Sequence, residues 1–142
     1  MDDLCRKEVI ELYQFFEDWF NGRIELNDAS FSRLSDVVAD GFQIVFPNGQ
    51  MIDRDDLLER VRAAHGTDGR TGPPLRIWVD GYRSRAIDEG LQLVTYQEWH
   101  LTDGPPRGRR VTAVLRRSPG ARNDVEWLHV HEVWLPEGTT PH

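Results

Sequence analysis

The sequence predicts an α+β fold, with N-terminal helices packed on a strongly curved, mainly antiparallel sheet. Three observations carry that expectation. Apolar residues recur at three- and four-residue steps through much of the first half of the chain, the period of helices buried on one side. After a Gly- and Pro-rich stretch come four strand-like runs, Leu75–Ile87, Leu91–Leu101, Arg109–Arg117 and Val125–Leu135, joined by short turn-rich connectors that suit an antiparallel meander. The last run is aromatic and β-branched and contains neither Gly nor Pro. Its alternation sets Trp127, His129, His131, Val133 and Leu135 on one face and Leu128, Val130, Glu132 and Trp134 on the other. Both faces mix apolar with ionisable residues, so one should cover a core or cavity and the other should meet a further surface.

Taken in order, Cys5, Val9, Leu12, Phe16, Trp19 and Phe20 mark an amphipathic helix over Leu4–Phe20, widened by Tyr13 and Phe15 and stopped by Asn21-Gly22. Asp28-Ala29-Ser30 reads as the cap of a short helix carrying Phe31, Leu34, Val37 and Val38, which Asp40-Gly41 ends. Phe42–Phe46 is a strand turned by Pro47-Asn48-Gly49 into Met51-Ile52, and Asp53 caps a third helix running to Ala64. Gly66 to Pro74 reads as a mobile loop, a candidate lid.

A chain of 142 residues suits one domain spanning residues 1–142. Its 24 acidic against 17 basic residues argue against nucleic-acid or anionic-membrane partners, which would repel it. With neither a signal-peptide pattern nor a membrane-length apolar run, the expected location is the cytoplasm. The single Cys5 reads as a packed thiol.

Folding the meander about Thr102–Gly108 sets Tyr96, Glu98 and His100 opposite Val114, Thr112 and Arg110. The next turn sets Thr112 opposite Glu132 and Arg110 opposite Trp134. One face then gathers Glu98 and Glu132, the candidate catalytic groups, with Tyr96, His100, Arg110, Thr112 and Trp134 as candidate ligand-binding residues. Trp19 joins these from the first helix. Two readings stand here: a solvated ion pair about Arg110, or a covered site in which a carboxyl holds or moves a proton. The opposite face, bearing Thr95, Gln97, Trp99, Val111, Ala113, Leu115, His129 and His131, is the expected homodimer contact. His129-x-His131 has metal-ligand spacing, but Leu135 and Pro136 stand where a cupin-type Glu would follow, so a packed or interface pair is expected and no metal. No dinucleotide fingerprint, phosphate loop or nucleophile elbow occurs, and no cofactor is expected.

Several segments together resemble the nuclear-transport-factor-2-like superfamily of cystatin-like cones, which includes SnoaL-like cyclases and ketosteroid isomerase. They are the aromatic first helix, the Leu34–Phe46 segment with Asp40-Gly41-Phe42, Pro47-Asn48-Gly49 with Asp53–Leu58, and the strand segments Val94–Trp99, Arg110–Val114 and Trp127–Trp134. The resemblance implies a pocket between the helices and the concave sheet face, and a homodimer through the convex face. The expected function is a dimeric domain binding a small molecule. The alternatives are an isomerase, cyclase or hydratase using Glu98 or Glu132 as general acid or base, and an interaction module without catalysis.

Overall fold

The computed structural model describes residues 1–68 and 72–142. Helices α1 (Asp2–Phe20) and α2 (Asp28–Ser35) are followed by strands β1 (Val38–Val45) and β2 (Met51–Asp53) and helix α3 (Arg54–Ala63). Strands β3 (Arg76–Asp88), β4 (Leu91–Leu101), β5 (Arg107–Arg117) and β6 (Val125–Trp134) complete the chain. The six strands form one sheet ordered β2-β1-β6-β5-β4-β3, antiparallel except where β1 runs parallel to β6. The expected meander is therefore present, and the β1–β2 hairpin extends it beyond β6.

Local chemistry sets most boundaries as expected. Asp53 caps α3 by accepting from the backbone N–H of Asp56 at 2.9 Å. The cap of α2 is Asn27, one residue before the expected Asp28, accepting from the N–H of Ser30 at 2.8 Å. Val37 and Val38 leave the helix: Val37 C=O accepts from the N–H of Trp127 at 2.7 Å, and Val38 opens β1. Asp40-Gly41, expected to end a helix, lies inside that strand, where the ladder to β6 shifts between Val38 and Gln43. Pairing with a buried neighbour here outweighs the weak helical pattern of a short segment.

One core cluster joins the inner side of α1 (Val9, Leu12, Tyr13, Trp19) to the concave sheet face (Val94, Tyr96, Val111, Ala113, Leu115, Val130). No helix among the described residues is long and apolar enough to cross a membrane. Of the Gly66–Pro74 loop, residues 69–71 lie outside the described residues, and so does the expected lid there.

The register of the last three strands differs from the expected one. Glu98 pairs with Arg109, Tyr96 with Val111 and His100 with Arg107, a three-residue slip that exchanges the faces of β5. Its cause is Gly108. Read as the end of the turn, it instead sits within β5 opposite Trp99. A Cβ there would lie 2.8 Å from the Trp99 ring and 2.7 Å from Leu135 Cδ1. Pro105-Pro106 close the connector, and the ladder starts immediately after them. We expect Gly108→Ala to cost about 1–3 kcal/mol in a denaturant titration through overpacking against Trp99. An unchanged midpoint would show that the indole can yield.

Between β5 and β6 a bulge falls between Val114 and Leu115, so Leu115 pairs with Trp127 while Val111 pairs with Glu132. Trp127 therefore shares the inner face with Val130 and Glu132 instead of lying with His129 and His131. Val111, Ala113 and Leu115, expected at a dimer contact, are fully buried in the core. Arg110, Thr112 and Val114 take the outer face in their place.

Candidate functional site

A cavity of about 270 Å³ lies between α1, α3 and the concave sheet face. Its walls are apolar and largely aromatic, among them Phe16 and Phe20 from α1, Phe42 and Phe46 from the β1 region and Leu57 from α3. Glu98, His100, Arg109 and Glu132 are the ionisable residues at the sheet side, and Arg60 is that of α3.

The structure places Glu98, Glu132 and His100 on the cavity side, and beside them stands Arg109 where the sequence reading set Arg110. The slip puts Arg109 on the inner face, where its guanidinium donates to Glu132 Oε1 at 3.0 Å, and turns Arg110 and Thr112 outward. Glu98 Oε2 is hydrogen-bonded to His100 Nε2. Tyr96 is fully buried, and its hydroxyl bonds that of Tyr13 at 2.8 Å. Tyr13, read from sequence as part of a helical stripe, is the site residue that periodicity alone could not single out. Trp134 follows Glu132 on the inner face but is 44% exposed, lying against the guanidinium groups of Arg107 and Arg109. Trp19 is a core residue whose indole N–H donates to Val61 C=O at 2.7 Å, and it does not line the cavity.

Glu98 and Glu132 are only 5% and 3% exposed, and their environments push them apart. Burial, and then the charge of Glu98, raise Glu132 to about 8, with Arg109 acting in the opposite sense. Burial also opposes ionisation of Glu98, but the hydrogen bond and charge of His100, followed by the charge of Arg109, hold it below the usual carboxylate range. The arrangement is a carboxylic acid beside a carboxylate. Glu98 Oε1 has no hydrogen-bond partner among the described residues, and a protonated Glu132 can supply one. Arg109 stays charged between the two acids.

A third buried acid escaped the sequence reading. Glu8, fully buried on α1, accepts from both terminal nitrogens of Arg33 on α2, at 3.2 and 2.8 Å. It also accepts from the indole of Trp127 at 2.9 Å and from Asn123 Nδ2 at 3.0 Å. Arg33 and Trp127 are spent on this one carboxylate, and Asn123 Nδ2 is shared with Glu11 Oε1 at 3.0 Å, so the cluster ties α1 to α2 and β6. His129 and His131 both lie on the outer sheet face. Among the described residues no three His, Cys, Asp or Glu side chains group to hold a metal.

Helices on the concave face of this sheet define a nuclear-transport-factor-2-like, cystatin-like domain, and solved structures agree. A nuclear-transport-factor-2-like protein of unknown function from Pseudomonas aeruginosa matches with a TM-score of 0.79 and 26% identity, over 93% of this chain and 98% of that one. A protein with a cystatin-like fold from Caulobacter vibrioides matches with a TM-score of 0.59 and 15% identity, over 79% and 80% of the two chains. Residues 5–136 match the model of the sucrose-6-phosphate phosphohydrolase C-terminal family, and the chain belongs to that family. Sucrose-phosphatase 1 of Nicotiana tabacum is 33% identical over 90% of this chain, and probable sucrose-phosphatase 2 of Arabidopsis thaliana is 27% identical over 92%. In both cases the chain spans 30% of the relative's length.

These matches overturn the function expected from sequence. A dimeric small-molecule-binding domain and an isomerase, cyclase or hydratase give way to a sucrose-phosphatase C-terminal domain. The resemblance to the superfamily was correct for the fold and misleading for the function, because one fold serves many functions.

Proposed function

We propose that the chain serves sucrose 6-phosphate hydrolysis as the C-terminal module of a sucrose-phosphatase-type enzyme and supports a phosphohydrolase body that performs the chemistry. The observation that carries this reading is the match over residues 5–136 to the C-terminal family. The electrostatics of the cavity favour a supporting role: it presents the carboxyl groups of Glu98 and Glu132, and the basic side chains nearest them, His100 and Arg109, are already hydrogen-bonded to these acids. A phosphate dianion at the sheet side would meet a carboxylate and find Arg109 engaged, which leaves only Arg60, across the cavity on α3, as a cation without an ion pair among the lining residues. The single, buried Cys5, whose thiol burial raises to about 11, suits the proposed cytoplasmic location, since it supplies no disulfide.

Phosphate release from sucrose 6-phosphate tests the proposal. This chain alone should release none. Tobacco sucrose-phosphatase 1 with its matched segment replaced by this chain should exceed the enzyme truncated at that segment. Release by the chain alone, or a swapped enzyme no better than the truncated one, would overturn the reading.

A further inference from the structure

We propose that Asn48, in the turn between β1 and β2, is a site of spontaneous covalent modification, at which the backbone nitrogen of Gly49 displaces the side-chain amide as ammonia. The sequence holds two Asn-Gly pairs, Asn21-Gly22 and Asn48-Gly49. Glycine carries no Cβ to shield the amide nitrogen that attacks, so by sequence alone the two pairs are equally prone to the reaction. The fold separates them.

Asn21 is locked. Its Nδ2 donates to Glu17 C=O at 2.9 Å and to Leu75 C=O at 2.7 Å, and its Oδ1 accepts from Leu75 N–H at 2.9 Å. These bonds must break before its carboxamide carbon can meet the Gly22 nitrogen. Asn48, Gly49 and Gln50, by contrast, are exposed, and Asn48 makes one side-chain hydrogen bond among the described residues, its Oδ1 accepting from Gln50 N–H at 2.9 Å. That bond assists the chemistry, because it draws electrons from Cγ and aims a donor at the oxygen that turns negative during attack. Among the described residues nothing lies within 4 Å of a Cβ built on Gly49, so the approach is open. The obstacle is the bond from Gly49 N–H to Phe46 C=O at 2.8 Å, which an exposed turn releases by local opening.

The step balances with water as the co-reactant. Gly49 N bonds to Asn48 Cγ and loses its proton to water, while the Cγ–Nδ2 bond breaks and Nδ2 takes up a proton and leaves as ammonia. The cyclic succinimide then takes up a water molecule. Opening at Cγ gives Asp; opening at the backbone carbonyl gives isoaspartate, in which the main chain runs through the former side chain and is longer by a carbon. Two bonds close this turn, Gly49 N–H to Phe46 C=O at 2.8 Å and Phe46 N–H to Gln50 C=O at 2.9 Å, and the lengthened chain pulls them out of register. Phe46 lines the cavity, so the modification reaches the cavity wall.

The test incubates the full chain in heavy-oxygen water at mildly alkaline pH and maps its peptides by mass spectrometry. Asn48 should gain the heavy oxygen at least about tenfold faster than Asn21, a factor that the loss of one or two net hydrogen bonds supplies. Isoaspartate, read by methyl transfer from an isoaspartyl methyltransferase, should appear in the peptide containing Asn48. In concentrated urea, where the fold holds neither side chain, the two rates should converge. Hydrogen exchange at Phe46 N–H should quicken in the modified chain. Equal rates at the two asparagines in the native chain, or a faster rate at Asn21, would overturn the proposal. Asp without isoaspartate would do the same, because it would mean direct hydrolysis of the side chain with no part for Gly49, and unchanged exchange at Phe46 would sever the link to the cavity wall.

Discussion

Replacing Glu8 with Ala should cost about 3–5 kcal/mol, the loss expected when one partner of a buried ion pair is removed and the other is left uncompensated. The basis is geometric. Glu8 is fully buried and accepts four hydrogen bonds, from Arg33, Trp127 and Asn123. Without it, Arg33, only 9% exposed at its side chain, keeps a charge with no counter-ion, and the Trp127 indole loses its acceptor. Two further variants separate charge from shape. Glu8→Gln keeps one acceptor oxygen and should lose less than Glu8→Ala, whereas pairing Glu8→Leu with Arg33→Met should recover part of the loss by removing both charges. Denaturant titration decides the matter: if Glu8→Ala costs under about 1 kcal/mol, the value of an exposed pair, the cluster is solvated.

Periodicity carried the architecture because it reports which side of an element is buried. The helical spacing of Val9, Leu12 and Trp19 and the alternation of β4 survive directly in the core. Register is a different quantity. It depends on where each connector ends and on single-residue bulges, and an odd error flips a whole strand. Gly108 looks like turn chemistry but is a strand glycine making room for Trp99, and the bulge between Val114 and Leu115 leaves no mark in the alternation. Those two features moved the site's guanidinium from Arg110 to Arg109 while leaving Glu98, His100 and Glu132 where alternation put them. Glu8 was invisible for another reason. Its donors Arg33, Asn123 and Trp127 come from distant parts of the chain, and only the folded arrangement brings them to one carboxylate.

The second large effect concerns the proton on Glu132. Its pKa is raised in the folded state from 4.5 to about 8, so folding favours the protonated acid. The stability this provides is complete below about pH 4.5, and it is lost as pH rises through about 8, because the unfolded chain releases the proton first. The shift corresponds to at most about 5 kcal/mol, and the observed slope belongs to the pair, since Glu98 shares the site. Glu98 acts with the opposite sign. Its lowered pKa makes its contribution disappear as pH falls below the usual carboxylate range, outside the window that Glu132 controls. Glu132→Gln imitates the protonated acid and should flatten the decline between pH 5 and 8. At pH 8 the variant should exceed wild type by about 2–4 kcal/mol. Arg109→Met removes the cation that lowers both acids, so its decline should continue to higher pH than that of wild type. Urea midpoints for the three proteins, measured from pH 5 to pH 9, provide the check. Parallel, flat curves would mean that water reaches both carboxyls and that Glu132 ionises like any surface glutamate.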